Sequence, residues 1–199
     1  MRILICGKVL LMGAFMTAGL VAWGQTPSLA KPSSSIDVAV SYNPTLNNVI
    51  TNTGFSMQGG SLQIHGQFWR GLGVVADVAG LHTVKMRSST VGLDLITVTF
   101  GPRYTWSPAN HRYAFFGQFL AGEANGFNSV FPNKLGYNVD ANNGANSIAI
   151  QTGGGMNVSL RGRLQLRAFE VNWLRTQFPN TTTNVQNNVR MGTGVIYKF

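Results

Sequence analysis

Charge is scarce in this chain. Charged residues make up 11% of its 199 positions, and only six of them are acidic, whereas ordinary soluble domains carry roughly a quarter. Cysteine is almost missing: the one copy, Cys6, lies in the N-terminal apolar segment, so the remainder uses neither disulfides nor thiol chemistry. His65, His82 and His111 are dispersed without metal-ligand spacing, and no metal or other cofactor is expected. Beyond Ala22 no apolar run approaches the ~18 residues of a spanning helix.

What is present begins with a three-part leader. Arg2 and Lys8 precede the uncharged run Val9 to Ala22, and Ala22-Trp23-Gly24 supplies small residues for cleavage, with Ser28-Leu29-Ala30 as a second candidate. This is the build of a secretory signal peptide over 1–24, too short for a membrane anchor. Residues 25–35 form a flexible, Pro- and Ser-rich lead-in. The formal charge is +9, and removing the two cations Arg2 and Lys8 leaves +7. The basic residues are scattered and match no RNA-binding motif. Lipid headgroups and lipopolysaccharide phosphates are therefore the expected partners, not nucleic acid.

Period-two alternation predicts eight strands over 36–43, 55–69, 72–82, 93–104, 112–123, 146–159, 163–175 and 188–199. Short connections (70–71, 105–111, 160–162) alternate with long ones (43–54, 83–92, 124–145, 176–187), as in membrane barrels with short periplasmic turns and long outer loops. Eight strands also place both ends of the barrel region on the short-turn side. The predicted fold is all-β, an eight-stranded antiparallel up-and-down transmembrane barrel over 36–199.

The last strand shows the pattern most clearly. Val189, Met191, Thr193, Val195, Tyr197 and Phe199 share one face, while Arg190, Gly192, Gly194, Ile196 and Lys198 share the other. It resembles the C-terminal recognition strand of bacterial outer-membrane barrels, which implies Val195, Tyr197 and Phe199 as a signal for the barrel assembly machinery. Elsewhere Val38, Val40, Leu62, Ile64, Phe68, Val74, Val78, Ile96, Val98, Phe100, Phe115, Phe119, Ile148 and Ile150 are expected to face lipid. The seventh strand is ambiguous: Phe169, Val171 and Trp173 outward would also turn Arg167 out, which calls for a bulge or a position near the headgroups. Trp69, Tyr104, Trp106, Tyr113, Tyr197 and Phe199 form an aromatic girdle on the short-turn side, with Trp173 and Phe178 near the opposite rim.

The inward residues predict a plugged lumen. A barrel of eight strands is about wide enough for its own side chains, and isolated charges there would be costly. Asp37, His65, Asp77, Arg103, Gln118, Glu170 and Arg190, with Lys198 as a further member, are expected to form one polar network.

Phe100-Gly101-Pro102-Arg103-Tyr104, Phe116 to Gly122, Gly153 to Val158, Arg167 to Thr176 and the terminal strand together resemble the small OmpA-like and opacity-type outer-membrane β-barrel family, over roughly 36–199. The resemblance implies the barrel fold. It is weak for function, since the family includes adhesins and structural anchors. No peptidoglycan-binding domain is expected after Phe199.

Catalytic constellations are few. Ser61, His65 and Asp77 could form a Ser/His/Asp arrangement inside the second hairpin, implying a lipid-modifying hydrolase or acyltransferase; polar lumen residues need partners in any case. Gly153 to Gly155 lies within a strand pattern and reads as a bend or close packing, not a phosphate cradle. Asp94, Glu123 and Asp140, assigned to outer loops, are too separate for a calcium site. In the segment 124–145, Phe127, Phe131 and Tyr137 lie among Asn and Gly and are candidates for contact with an extracellular ligand. The leading expectation is a non-enzymatic, structural outer-membrane barrel with adhesion or ligand contact through its loops. The competing readings are a small channel for ions or hydrophobic solutes and a lipid-modifying enzyme.

Overall fold

The computed structural model describes residues 35–47, 54–85, 92–108, 112–129, 131, 143–179 and 184–199. The expected leader and nearly all of the lead-in, with Cys6, and also His111, Tyr137 and Asp140, lie outside the described residues. Alternating β-branched, aromatic and small polar residues form nine strand segments: β1 (Ser35–Tyr42), β2 (Thr45–Asn47), β3 (Phe55–Trp69), β4 (Leu72–Thr83), β5 (Leu93–Trp106), β6 (Tyr113–Ser129), β7 (Asn143–Ser159), β8 (Leu164–Thr176) and β9 (Gln186–Lys198).

All pairings are antiparallel between sequence neighbours, and β1 closes the sheet against β9 through Val38↔Tyr197 and Val40↔Val195. Segments β1 and β2 are two halves of one stave, because both lie between β3 and β9. The interruption falls at Pro44, which has no N–H to donate. Asn43 N to Gly59 O (2.8 Å) and Met191 N to Pro44 O (2.9 Å) carry the ladder past it. The result is a closed barrel of eight staves, as the alternation predicts. Among the described residues no helix is long and apolar enough to cross a membrane.

The short connections lie together at one rim, where Phe199 N also bonds Ile36 O at 2.9 Å. The two-residue turn between β3 and β4 uses Arg70 (φ 36°) and Gly71 (φ 91°), the positive-φ pair that matches strand twist in tight hairpins. At the other rim, strands run further than expected. The first stave continues to Asn47, β6 reaches Ser129 and β7 begins at Asn143, so the predicted loop 124–145 shrinks to 130–142. Asp94 and Glu123 consequently sit in strands rather than loops.

The ambiguity of the seventh strand resolves as the bulge that Arg167 called for. Arg167 points into the barrel and is fully buried. Across from β9, Arg167↔Gly194 is followed by Glu170↔Gly192, and across from β7, Met156↔Phe169 is followed by Asn157↔Arg167. The strand β8 therefore carries one extra residue, Ala168, as a β-bulge. Below the bulge the alternation changes phase, and Arg167 and Glu170 face inward although three positions apart.

Candidate functional site

Three layers fill the lumen from the short-turn rim upward. In the lowest, the Asp37 carboxylate on β1 accepts a hydrogen bond from His65 Nδ1 on β3 at 2.8 Å, because Asp37 and His65 are directly opposite in the register. A polar cavity of about 110 Å³ lies here, lined by both residues with Gln67, Arg103, Asn157 and Lys198 among others.

The middle layer is a network around Glu170. Its Oε1 accepts from Gln63 (3.0 Å), Gln118 (2.9 Å) and Asn172 (2.7 Å), and its Oε2 from Arg167 Nη1 (2.6 Å). Gln63 Oε1 accepts from Arg103 and Arg167, both at 2.6 Å, and Arg103 Nε donates to Gln118 at 3.0 Å. Both guanidinium groups also lie against the ring of Phe116, 4.4 Å from Arg103 Cζ and 5.0 Å from Arg167 Cζ. That ring fits because position 155 is glycine: a Cβ there would lie 3.0 Å from it and collide with the Phe169 carbonyl. Above this, Arg190 pairs with Asp77, to which Gln151 also donates at 3.3 Å.

Asp37, Asp77, Arg103, Gln118, Glu170 and Arg190 are all buried lumen residues, but in three layers rather than one network. Lys198 lines the lowest cavity. The Ser61–His65–Asp77 arrangement is not formed: His65 turns to Asp37, and Asp77 to Arg190. Gln63, Asn172 and Phe116 belong to the middle layer although the sequence did not single them out, and Arg167 joins them through the bulge in β8. The even positions 114, 116 and 118 already alternate inward along β6, so Phe116 was recoverable from parity.

Above the polar layers the lumen turns apolar. Met57, Leu81, Leu95, Ala124, Ala149 and Leu174 form a core cluster. Phe131 and Phe178, from beyond the ends of β6 and β8, cap it with ring centroids 5.5 Å apart. This corrects two expectations: Phe131, at 9% exposure, is no surface contact, and Phe178, at 6%, belongs to no outer girdle. Phe127 lies half-buried in β6, paired with Asp94.

The exterior changes in the opposite sense at the same height. Below, it is Ile36, Val40, Leu62, Ile64, Val78, Val98, Phe100, Phe119 and Val195, all exposed. Beside the apolar core it is Gln58, His82, Asp94, Asn125 and Asn146, cross-linked by His82 to Asp94, Asn128 to Asp94 and Asn125 to Asn146. Apolar outside with polar inside gives way to polar outside with apolar inside. Only a barrel that leaves a lipid layer part-way along its strands needs that inversion. The fold is that of the small outer-membrane β-barrels.

The comparisons with solved structures agree. Neisserial surface protein A superposes with a TM-score of 0.62 at 11% identity, over 82% of this chain and 97% of that one. Ail, the attachment invasion locus protein of Yersinia pestis, crystallised with the heparin analogue sucrose octasulfate, superposes with a TM-score of 0.54 at 14% identity, over 83% and 99%. No protein family profile matches the sequence, and no curated protein matches it. At the short-turn rim the barrel's girdle is an exposed belt of Phe68, Trp69, Tyr104, Trp106, Phe115, Tyr197 and Phe199, with Trp106 stacked on Phe115 and Tyr197 edge-on to Phe199.

The polar exterior of the crown provides a pH-dependent contact. Hydrogen bonds from His82, first, and from Asn128 hold the Asp94 carboxyl below its ordinary value. A carboxyl lowered in the folded state contributes stability above its unfolded pKa of about 3.9, and loses it as pH falls through the depressed value. A carbon NMR titration should find the Asp94 midpoint below that of an exposed aspartate, and Asn128→Ala should move it back up. An ordinary midpoint in the unaltered protein would refute the hydrogen-bonded cluster.

Proposed function

We propose that the chain is exported by its signal peptide to the bacterial outer membrane and acts there as a non-enzymatic barrel that displays extracellular loops for adhesion or ligand contact. The short-turn rim then faces the periplasm and the long-loop rim the exterior. The observation that carries this reading is the crown: strands that continue past the lipid band around a hydrophobic core of their own. A barrel serving only as a membrane plug has no use for that extension, whereas loops mounted on a rigid collar are held clear of the lipopolysaccharide layer. The connections at that rim are rich in Asn, Thr and Ser with Tyr137 among them, adaptable hydrogen-bonding chemistry suited to contact surfaces. The assembly machinery reads Val195, Tyr197 and Phe199, and the two ends of the lipid band rest in phospholipid and lipopolysaccharide. His65 pairs with Asp37 and Asp77 with Arg190 in place of a Ser61–His65–Asp77 arrangement, which disfavours the enzyme reading.

The test is binding by whole cells that express the barrel, with residues 132–142 either intact or replaced by a Gly/Ser linker. Heparin is one probe, because Ail, of similar fold, was crystallised with a heparin analogue; an extracellular-matrix protein panel is the other. Binding that falls to background on replacement, with surface display unchanged, supports the proposal. Binding equal to cells lacking the barrel, for every probe, refutes it.

A further inference from the structure

The short-turn rim is rich in positive charge. Each of its three turns exposes arginine: Arg70 between β3 and β4, Arg112 between β5 and β6, and Arg161 and Arg163 between β7 and β8. Lys198 stands at the remaining corner, where the barrel's two ends meet. None of the chain's six acids lies in these three turns, although Asp37 lines the lumen cavity beside Lys198. Asp37, Asp77 and Glu170 are buried in the lumen, Asp94 and Glu123 belong to the upper parts of β5 and β6, and Asp140 falls in the connection at the opposite rim. The four turn arginines thus share their turns with no acid.

These cations are mounted on a closed ring of backbone hydrogen bonds. Thr105 N bonds Gly71 O (2.7 Å), Ser159 N bonds Arg112 O (2.8 Å), Lys198 N bonds Arg163 O (2.9 Å) and Phe199 N bonds Ile36 O (2.9 Å). Each bond ties one turn or chain end to the next stave. Directly above runs the aromatic belt, the level of lipid headgroups, and Arg70 Cζ lies 6.0 Å from the Trp69 ring centre.

We propose that this rim selects anionic phospholipid headgroups, those of phosphatidylglycerol or cardiolipin, from the leaflet it meets. The proposal rests on the membrane-barrel reading and adds a lipid preference to it. Phosphate esters fit because the charges sit at headgroup height around the whole circumference, where a ring of single lipids can reach them. A discrete pocket for a soluble anion would instead gather them to one side. The aromatic belt fixes the depth and the arginines choose the headgroup.

Brominated lipids test this by quenching tryptophan. The protein is reconstituted into phosphatidylcholine vesicles containing a minority of brominated phosphatidylglycerol or, separately, brominated phosphatidylcholine. Trp69 and Trp106 report the rim, and their signal is isolated as the difference from a Trp69→Phe/Trp106→Phe variant. Rim quenching should be several-fold stronger with the anionic lipid, roughly fivefold for each charge fully engaged. The preference should fall away in about 0.5 M salt, where screening shortens to a few ångströms, and in Arg70→Gln/Arg112→Gln/Arg161→Gln/Arg163→Gln. If that variant does not fold, Arg161→Gln/Arg163→Gln, confined to one exposed turn, should show a partial loss. Equal quenching by both lipids overturns the proposal, as does rim binding to purified peptidoglycan without any lipid preference. Failure of the barrel reading itself would show separately, as gel mobility that does not change on boiling.

Discussion

Glu170→Gln is expected to destabilise the barrel by about 3–5 kcal/mol, the cost of leaving a buried charge without its partner. The substitution keeps size and most hydrogen-bonding capacity, so it isolates charge. In the native lumen Glu170 accepts from Arg167, Gln63, Gln118 and Asn172 at once, while Arg103 and Arg167 flank the same Phe116 ring. Neutralising the carboxylate leaves two guanidinium groups that share the Gln63 oxygen and one aromatic ring without a counter-charge, and the quadrupole of one ring does not replace a full negative charge. The change should appear as a lower urea midpoint for vesicle-inserted protein and a lower temperature at which the unboiled gel species converts. Adding Arg167→Met removes the charge that Glu170 had balanced, so the double variant should be more stable than the sum of the single effects implies, since contacting groups are not additive. A Glu170→Gln midpoint within about 0.5 kcal/mol of the parent, the scatter of ordinary surface substitutions, would show that water already screens this layer and that the network does not hold the barrel.

That network shows what alternation reveals and what it hides. Lipid and lumen impose opposite demands on successive residues, so stretches such as Val38 to Tyr42 and Leu62 to His65 display their facing in the sequence. The closed barrel, its strand number and the sides of its short and long connections follow from that rule. Arg167 called for a bulge or a headgroup position without deciding which, because a bulge is one residue without a partner, and nothing about Ala168 distinguishes it from any other small strand residue. Phe131 and Phe178 escaped for a different reason. They lie beyond the ends of regular strands, where period two carries no information, and only the tertiary packing at the crown turns them inward. The partner of His65 depended on register: Asp37 stands directly across one strand pair and Asp77 diagonally across the other. A shift of two residues would have exchanged them, with the same faces buried.

The crown leads to the second large effect, on sealing. Barriers of two chemistries lie in series along the lumen: the polar layers, of which the Glu170 layer draws side chains from β3, β5, β6 and β8, and the apolar cap of Phe131 and Phe178 over Met57, Leu81 and Leu95. Because they are in series, breaking one should not open a path. Phe131→Ala/Phe178→Ala should destabilise the crown by about 3–5 kcal/mol for each buried ring removed. The effect should be read as faster proteolysis at the long-loop rim, yet planar-bilayer recordings should stay as quiet as those of the parent. Arg103→Ala/Gln118→Ala removes the two long side chains that reach across from β5 and β6 while leaving the Arg167–Glu170 pair intact on β8, and it too should remain silent, because the dry cap excludes ions. Combining all four substitutions should produce unitary currents. The lumen is about one side chain wide, so deleting the cross-lumen groups leaves room for a file of water between the walls. Robust currents from the unaltered protein would restore the channel reading. Currents from the Phe131→Ala/Phe178→Ala variant alone would show that the polar layer is permeable and that the crown is the barrel's gate as well as its collar.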